Sequence, residues 1–200
     1  MKPALFTATV LFFVGLISKF FHLPFNAIIM MVAIFGMIVI LTLGAIMKRF
    51  NLLEVVVGLA AIIWIITLLS TLKFWGATNI FLVAASVLSA VAFVLGLRQK
   101  KFKGLIPIGV SLTLCLIFYK MPSDTRYYLV SIKWNHEIGS DYFSWDKYSW
   151  FLYQNTKYDE ALKASNKALT IAQQQEDTEW IQLISEHNSK IKNRSWEHFR

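Results

Sequence analysis

Acid is what the first half of this chain lacks. Of the twelve Asp and Glu in 200 residues, eleven lie after Met121, and only Glu54 precedes it. The same first 121 residues hold ten of the twenty Lys and Arg, a formal charge of +9, whereas the remaining 79 residues set ten cations against eleven anions for −1. Cysteine is scarce as well: a lone Cys115 excludes an intramolecular disulfide and a cysteine-based zinc site. Also missing are a nucleophile–base set, a glycine-rich phosphate loop, a carboxylate pair and metal-ligand spacing. No catalytic residue, metal or cofactor is therefore expected. The dispersed His136, His187 and His198 are expected at the surface.

What is present is apolar. A hydrophobic fraction of 56% and a mean hydropathy of +0.51 exceed the needs of a soluble core. The pI of 9.6 invites nucleic acid, yet the first-half cations fall between apolar runs, as topology signals do. Nucleic acid is not an expected partner. Five runs approach the length that crosses a ~30 Å hydrocarbon core: Leu5–Phe21, Phe25–Met47, Leu52–Leu72, Thr78–Leu97 and Gly104–Met121. Pro107 falls in the first turn of the last, where proline is tolerated. The first run follows Lys2 and meets no small-residue cleavage site, so it reads as an uncleaved anchor.

The basic turns after the second and fourth runs (Lys48 and Arg49; Arg98, Lys100, Lys101 and Lys103) are expected on the cytoplasmic side of a bacterial inner membrane, together with the N-terminus. Five crossings place the C-terminal domain in the periplasm; if the fifth run is interfacial, that domain is cytoplasmic. A repeat runs through this half. Leu43-Gly44-x3-Lys48-Arg49-Phe50 recurs as Leu95-Gly96-x3-Lys100-Lys101-Phe102, a shift of 52 residues, and Phe21-His22-Leu23-Pro24 is echoed loosely by Leu72-Lys73-Phe74-Trp75. A duplicated helical hairpin accounts for this period; the alternative is that membrane hairpins resemble one another without duplication. Ala84, Ala85, Ser86, Ser89, Ala90 and Ala92 mark the fourth run for close packing. Glu54, two residues into the third run, suits the first turn of a helix, with Lys48, Arg49 or Lys101 as candidate partners. The alternative is an intramembrane charge site involving Glu54, Lys19 and His22.

At Gly15-x3-Lys19-x2-His22-x-Pro24 the first hairpin, Leu5–Met47, resembles the GldL family of gliding-motility and type IX secretion motor subunits, with a fainter echo at Lys73-Phe74-Trp75-Gly76-Ala77. Those subunits read Gly-x3-Lys-x2-His-Trp-Pro-Gly at this turn; here Leu23 replaces the Trp and Phe25 the Gly. The family's second span carries a glutamate tied to ion flow, whereas residues 25–47 contain no acid. The resemblance implies a related hairpin from the Bacteroidota and argues against a working stator.

After Pro122 the composition turns mixed and aromatic. Ser123–Tyr142 reads as a connector or short helix whose Tyr127, Tyr128 and Trp134 could ride a membrane surface. Trp145-x2-Tyr148-Ser149-x2-Leu152, then Tyr158, Ala161 and Ala168, place small residues where two helices must approach and large ones around them. Tyr142–Gln173 thereby resembles one tetratricopeptide unit, without the usual Gly at Ser149 or Pro at Gln173. Such units act as peptide-binding platforms, which makes Trp145, Tyr148, Leu152, Tyr158 and Trp180 the candidate interaction residues. Thr178–Lys192 carries Trp180, Ile181, Ile184 and Ile191 on one stripe, as a capping helix would. One repeat cannot bury its face alone; either Ser123–Trp134 and the capping helix complete a bundle, or a partner does. The tail, with Trp196 and Phe199, is expected to fray, with a docking peptide as the alternative.

The expected fold is all-α: a polytopic membrane domain (1–121), a connector (122–141) and a tetratricopeptide-like domain with its capping helix (142–200). The expected function is a membrane scaffold or adaptor that presents the C-terminal helices to an envelope protein. An ion-driven motor or transport component with Glu54 carrying charge is the alternative. Expected partners are membrane lipid and a protein, with a homo-oligomer left open. Lipid or another hydrophobe between the spans is also compatible with so few polar groups.

Overall fold

A computed structural model of the chain describes residues 2–74 and 76–197, excepting the side chains of residues 2–5, 103 and 104. Among the described residues every regular element is helical: α1 (Lys2–Phe20), α2 (Asn26–Ile46), α3 (Leu52–Leu72), α4 (Thr78–Gln99), α5 (Ile106–Lys120), α6 (Ser123–Tyr127), α7 (Tyr142–Gln154), α8 (Tyr158–Gln174) and α9 (Thr178–Lys192). A 3-10 turn, Phe102–Leu105, precedes α5, and a π-helical turn, Tyr128–Ile132, continues α6. The chain divides into two compact units, one of residues 1–19 and 23–120, the other of residues 20–22 and 121–200. The segment expected as a connector thus falls within the second unit.

In the first unit, α2, α3 and α4 are each long and apolar enough to cross a membrane, with mean hydropathies of 2.7, 2.7 and 2.6. The described apolar part of α1, Phe6–Phe20, is shorter, and α5 reaches span length only if counted with the helical segment after it. Three of the five expected spans, or four on that count, therefore satisfy length and composition. The packing explains why these helices carry so little polarity. Met30, Ala33, Met37, Leu41 and Gly44 of α2 are buried, while Ile28, Met31, Val32, Phe35, Leu43 and Ile46 face outward. A helix apolar on both faces suits hydrocarbon rather than water.

α3 and α4 pack along a seam of small residues. Ala85, Ala92 and Gly96 are buried, and Ser89 takes the Trp64 indole N–H at 2.9 Å while donating to the Ala85 carbonyl at 2.7 Å. Ser86 and Ala90 of the same small-residue run face outward instead. At the far end of the pair Ser70 donates to Thr78 Oγ1 at 2.8 Å. Leu53, Val57, Ala60, Trp64 and Cys115 belong to the same core, closed from α5 by Ile108.

The sequence repeat has a backbone counterpart. His22, Lys48, Phe74 and Lys100, which stand 26 residues apart, all adopt left-handed conformations with φ of 52, 53, 58 and 52°. In the two basic turns the same bond closes the helix, Arg49 N–H to Gly44 at 2.9 Å and Lys101 N–H to Gly96 at 3.1 Å. These stops recur once per helix, two to each expected hairpin. They also pair His22 with Phe74, one residue beyond the sequence echo. Phe25, before α2, has φ 64, in the region glycine favours.

The second unit is a helical bundle built around α7 and α8. Ser149, Ala161, Ser165 and Ala168 are fully buried between helices, with Leu152, Tyr153 and Ile184 filling the space around them. The outer face of α8 is polar, with Asp159, Glu160, Lys163, Asn166 and Lys167 exposed. α9 packs on α8, and α6 packs on α7. Contrary to the expectation of a membrane-riding connector, Tyr127 is buried against Phe151 with ring centroids 4.9 Å apart; Tyr128 and Trp134 remain exposed. Bundle completion by α6 and α9 answers the need of a lone helical pair for cover.

Two surface expectations change. His187 is not a free surface histidine: its Nδ1 lies 3.0 Å from both carboxylate oxygens of the buried Asp146. Trp196 does not fray with the tail; its ring stacks on His187 at 4.4 Å and meets Tyr153 at 5.9 Å. His198 and Phe199 lie outside the described residues.

Candidate functional site

The expected interaction residues divide by burial. Leu152 is 1% exposed and is core, closed to a partner. Trp145 and Tyr158 line the same core, and the Trp145 indole donates to the Ile138 carbonyl at 3.0 Å, holding the turn before α7. Tyr148 sits half-buried between Tyr127 and Tyr128, and burial, with Asp124 and Glu160 adding to it, pushes its phenol up to about 12. Trp180 borders an open cleft.

That cleft, of about 460 Å³, is lined by Glu137, Ser140, Asp141, Tyr142, Phe143, Gln175 and Trp180. Two helix starts create it. Asp141 caps α7 by accepting the Ser144 N–H at 2.8 Å, and Asp177 caps α9 by accepting the Trp180 N–H at 3.2 Å. The Tyr142 hydroxyl joins the two starts by donating to Asp177 Oδ2 at 2.7 Å, and the Gln175 amide donates to the Ser140 carbonyl at 2.6 Å. The Trp180 ring then stands 5.4 Å from Tyr142 and edge-on to Phe143 at 5.5 Å. Phe143 is 51% exposed. Glu137 and Asp141 bring carboxylates to the rim, and Asp177 and Glu179 act on Tyr142 from α9. Lys147 Nζ already stands 5.9 Å from the Phe143 ring centre. An aromatic wall with a carboxylate rim suits a cation on a flexible stem.

The Tyr142–Asp177 bond has a pH signature. It lowers the Asp177 carboxyl below its ordinary 3.8 and raises the Tyr142 phenol above 10.0. Asp177 therefore contributes stability above the ordinary carboxylate range that is lost as pH falls through its depressed folded value; Tyr142 contributes stability below pH 10 that is lost as pH rises beyond it. Tyr142→Phe is expected to return the Asp177 titration toward the ordinary range and to move the acid-side loss of structure to higher pH. Carboxyl carbon NMR of Asp177 in both proteins measures the shift; identical curves would show that the hydroxyl does not hold the carboxylate.

Glu54, Lys19 and His22 do not form one group. Glu54 closes a capping box at the start of α3, accepting the Asn51 N–H at 3.0 Å while Asn51 accepts the Glu54 N–H at 3.0 Å. Lys19 lies within electrostatic reach of Lys73, which follows the opposite end of α3, about 28 Å away along the helix axis. His22 forms the left-handed turn after α1. No group of three or more metal-ligating side chains occurs among the described residues.

Trp180 was legible in the sequence as part of an amphipathic stripe. Glu137, Asp141, Phe143 and Gln175 were not. The available signal was capping: Asp141 and Asp177 each precede a helix by one residue, which marks two helix starts but not their adjacency. Comparison with protein-family models, curated proteins and solved structures returns no match to this chain.

Proposed function

We propose that this protein is a multi-pass membrane adaptor whose C-terminal bundle receives a basic segment of a protein partner in the cleft between the starts of α7 and α9. The observation that carries this reading is the exposed Phe143 beside Trp180 under a rim of carboxylates. Tetratricopeptide-like packing supplies the rigid support, since Ser149, Ala161 and Ala168 let the helices close on one another. A lysine-rich peptide is expected to change the tryptophan emission of the detergent-solubilised chain in a salt-sensitive way. Its glutamate-substituted counterpart is expected to have no effect. Glu137→Lys, at an exposed position, should weaken the lysine peptide about tenfold, corresponding to about 1.4 kcal/mol. Equal response to both peptides would defeat the cleft as the receiving site.

The same proposal sets the protein in a bacterial inner membrane with five crossings, a cytoplasmic N-terminus and a periplasmic bundle. Ser185→Cys in a Cys115→Ala background is expected to react with a membrane-impermeant maleimide in intact cells; protection until lysis would put the bundle in the cytoplasm. The ion-motor alternative rests on Glu54, whose capping box gives that acid a role in starting α3 without any charge movement.

A further inference from the structure

Among the described residues the first unit holds a much larger hollow, about 980 Å³, between α1, α2, α3 and α5. That is near the upper limit of ordinary ligand pockets. Phe13 and Met37 form one side and Val110 another, and α3 lines its length from Leu53 to Ile65. Twelve residues of helix rise about 18 Å, roughly one leaflet of a ~30 Å hydrocarbon core. The groove is thus as deep as an acyl chain is long, and it stops there.

Its charged groups collect at one end. Asn51, Glu54, Lys100 and Lys101 surround the mouth, where the start of α3 meets the end of α4. Glu54 is held by the Asn51 backbone, whereas Lys100 is carried by a left-handed helix stop and Lys101 follows it, both exposed. Two ammonium groups against one carboxylate favour an anion at the position where a lipid headgroup meets the membrane surface.

We propose that this groove holds an anionic phospholipid of the adjoining leaflet, its acyl chains along α3 and its phosphate at Lys100 and Lys101. The proposal rests on the membrane reading of α2–α4. A lipid there would give Lys100 and Lys101 a function beyond topology, and would pack against Phe6 and Phe13 of α1, which line the same groove.

The test uses the full chain in nanodiscs of phosphatidylcholine carrying a small fraction of phosphatidylglycerol with a photoactivatable acyl chain. Cross-links are expected on the groove-facing Val57–Ile65 and Val110 peptides, competed at least fivefold better by unlabelled phosphatidylglycerol than by phosphatidylcholine. The exposed Val110→Trp, which fills the groove from its rim, should remove the groove cross-links while sparing those on Phe35 of α2. Lys100→Gln with Lys101→Gln should retain acyl cross-linking and lose the headgroup preference. Cross-links confined to outward residues such as Phe35 and Val83 would overturn the lipid site and leave the membrane reading standing; no lipid cross-links anywhere would overturn both. Disulfide pairing of two copies through Val110→Cys, without lipid in the groove, would assign it to a second chain instead.

Discussion

Asp124→Leu is expected to destabilise the C-terminal bundle by about 3 kcal/mol and to release α6 from α7. The Asp124 side chain is only 3% exposed and accepts from Lys157 Nζ at 2.7 Å and from Asn155 Nδ2 at 2.8 Å. It fastens α6 to the turn between α7 and α8, where Asn155 also donates to Ser123 Oγ at 2.8 Å. Removing the carboxylate breaks the ion pair with Lys157 and takes away one of the three acceptors around the Asn155 amide, which keeps Ser123 Oγ, and the Phe151 carbonyl at 3.0 Å. Lys157, 41% exposed, can return to water, which keeps the loss at the lower end for a broken buried pair. The carboxylate holds the Lys157 amine above its ordinary 10.5. That contribution is complete below pH 10.5 and fades as pH rises through the higher folded value, so strong alkali should weaken the same joint. Urea unfolding followed by tryptophan emission gives the loss, and limited proteolysis should cut first within Tyr128–Ile132. An unchanged midpoint would mean that α6 docks through Tyr127 alone.

Ala92→Leu is the second large effect, about 3 kcal/mol against the first unit. Ala92 is fully buried where α4 lies against α3, seven residues beyond Ala85 and four before Gly96 on the same face. A leucine there must push the helices apart, and the displacement stretches the Trp64–Ser89 bond that ties them. Without water to drive apolar contact, association of these helices depends on such close packing and on the few bonds it permits. Ala90→Leu, outward on the same helix, serves as the control and should leave thermal aggregation of the detergent-solubilised chain unchanged. Equal effects of the two substitutions would show that α4 does not pack along this seam.

Both variants bear on how much of the protein its sequence could disclose. The α9 boundaries, Thr178–Lys192, follow from a stripe of apolar residues and an aspartate cap, all within one short segment. The three longest apolar runs became α2, α3 and α4 for the same local reason: in hydrocarbon a backbone must satisfy its own hydrogen bonds, and a helix does so with neighbours four residues away. The small residues of α8, Ala161 and Ala168, announced close packing because their spacing of seven puts them on one face. Even the left-handed stops at Lys48 and Lys100 were foreshadowed by a repeated Leu-Gly-x3-basic-basic-Phe pattern.

Tertiary structure decided which chemistry meets. Asp124 binds a residue 33 positions away, and Tyr142 reaches Asp177 across 35 positions. His187 finds Asp146 over a separation of 41, turning an expected surface histidine into the half-buried partner of a buried carboxylate. No local pattern encodes such pairs, because each depends on the angle at which one helix leaves a turn and lands on another. The cleft beside Trp180 and the groove along α3 are both products of that geometry. Composition determined that the first half is apolar and helical and that the second is a helical, mixed-charge domain. Packing alone determined that the first half leaves a leaflet-deep hollow and that the second places an aromatic wall beneath carboxylates, because cavities form between elements and not within them.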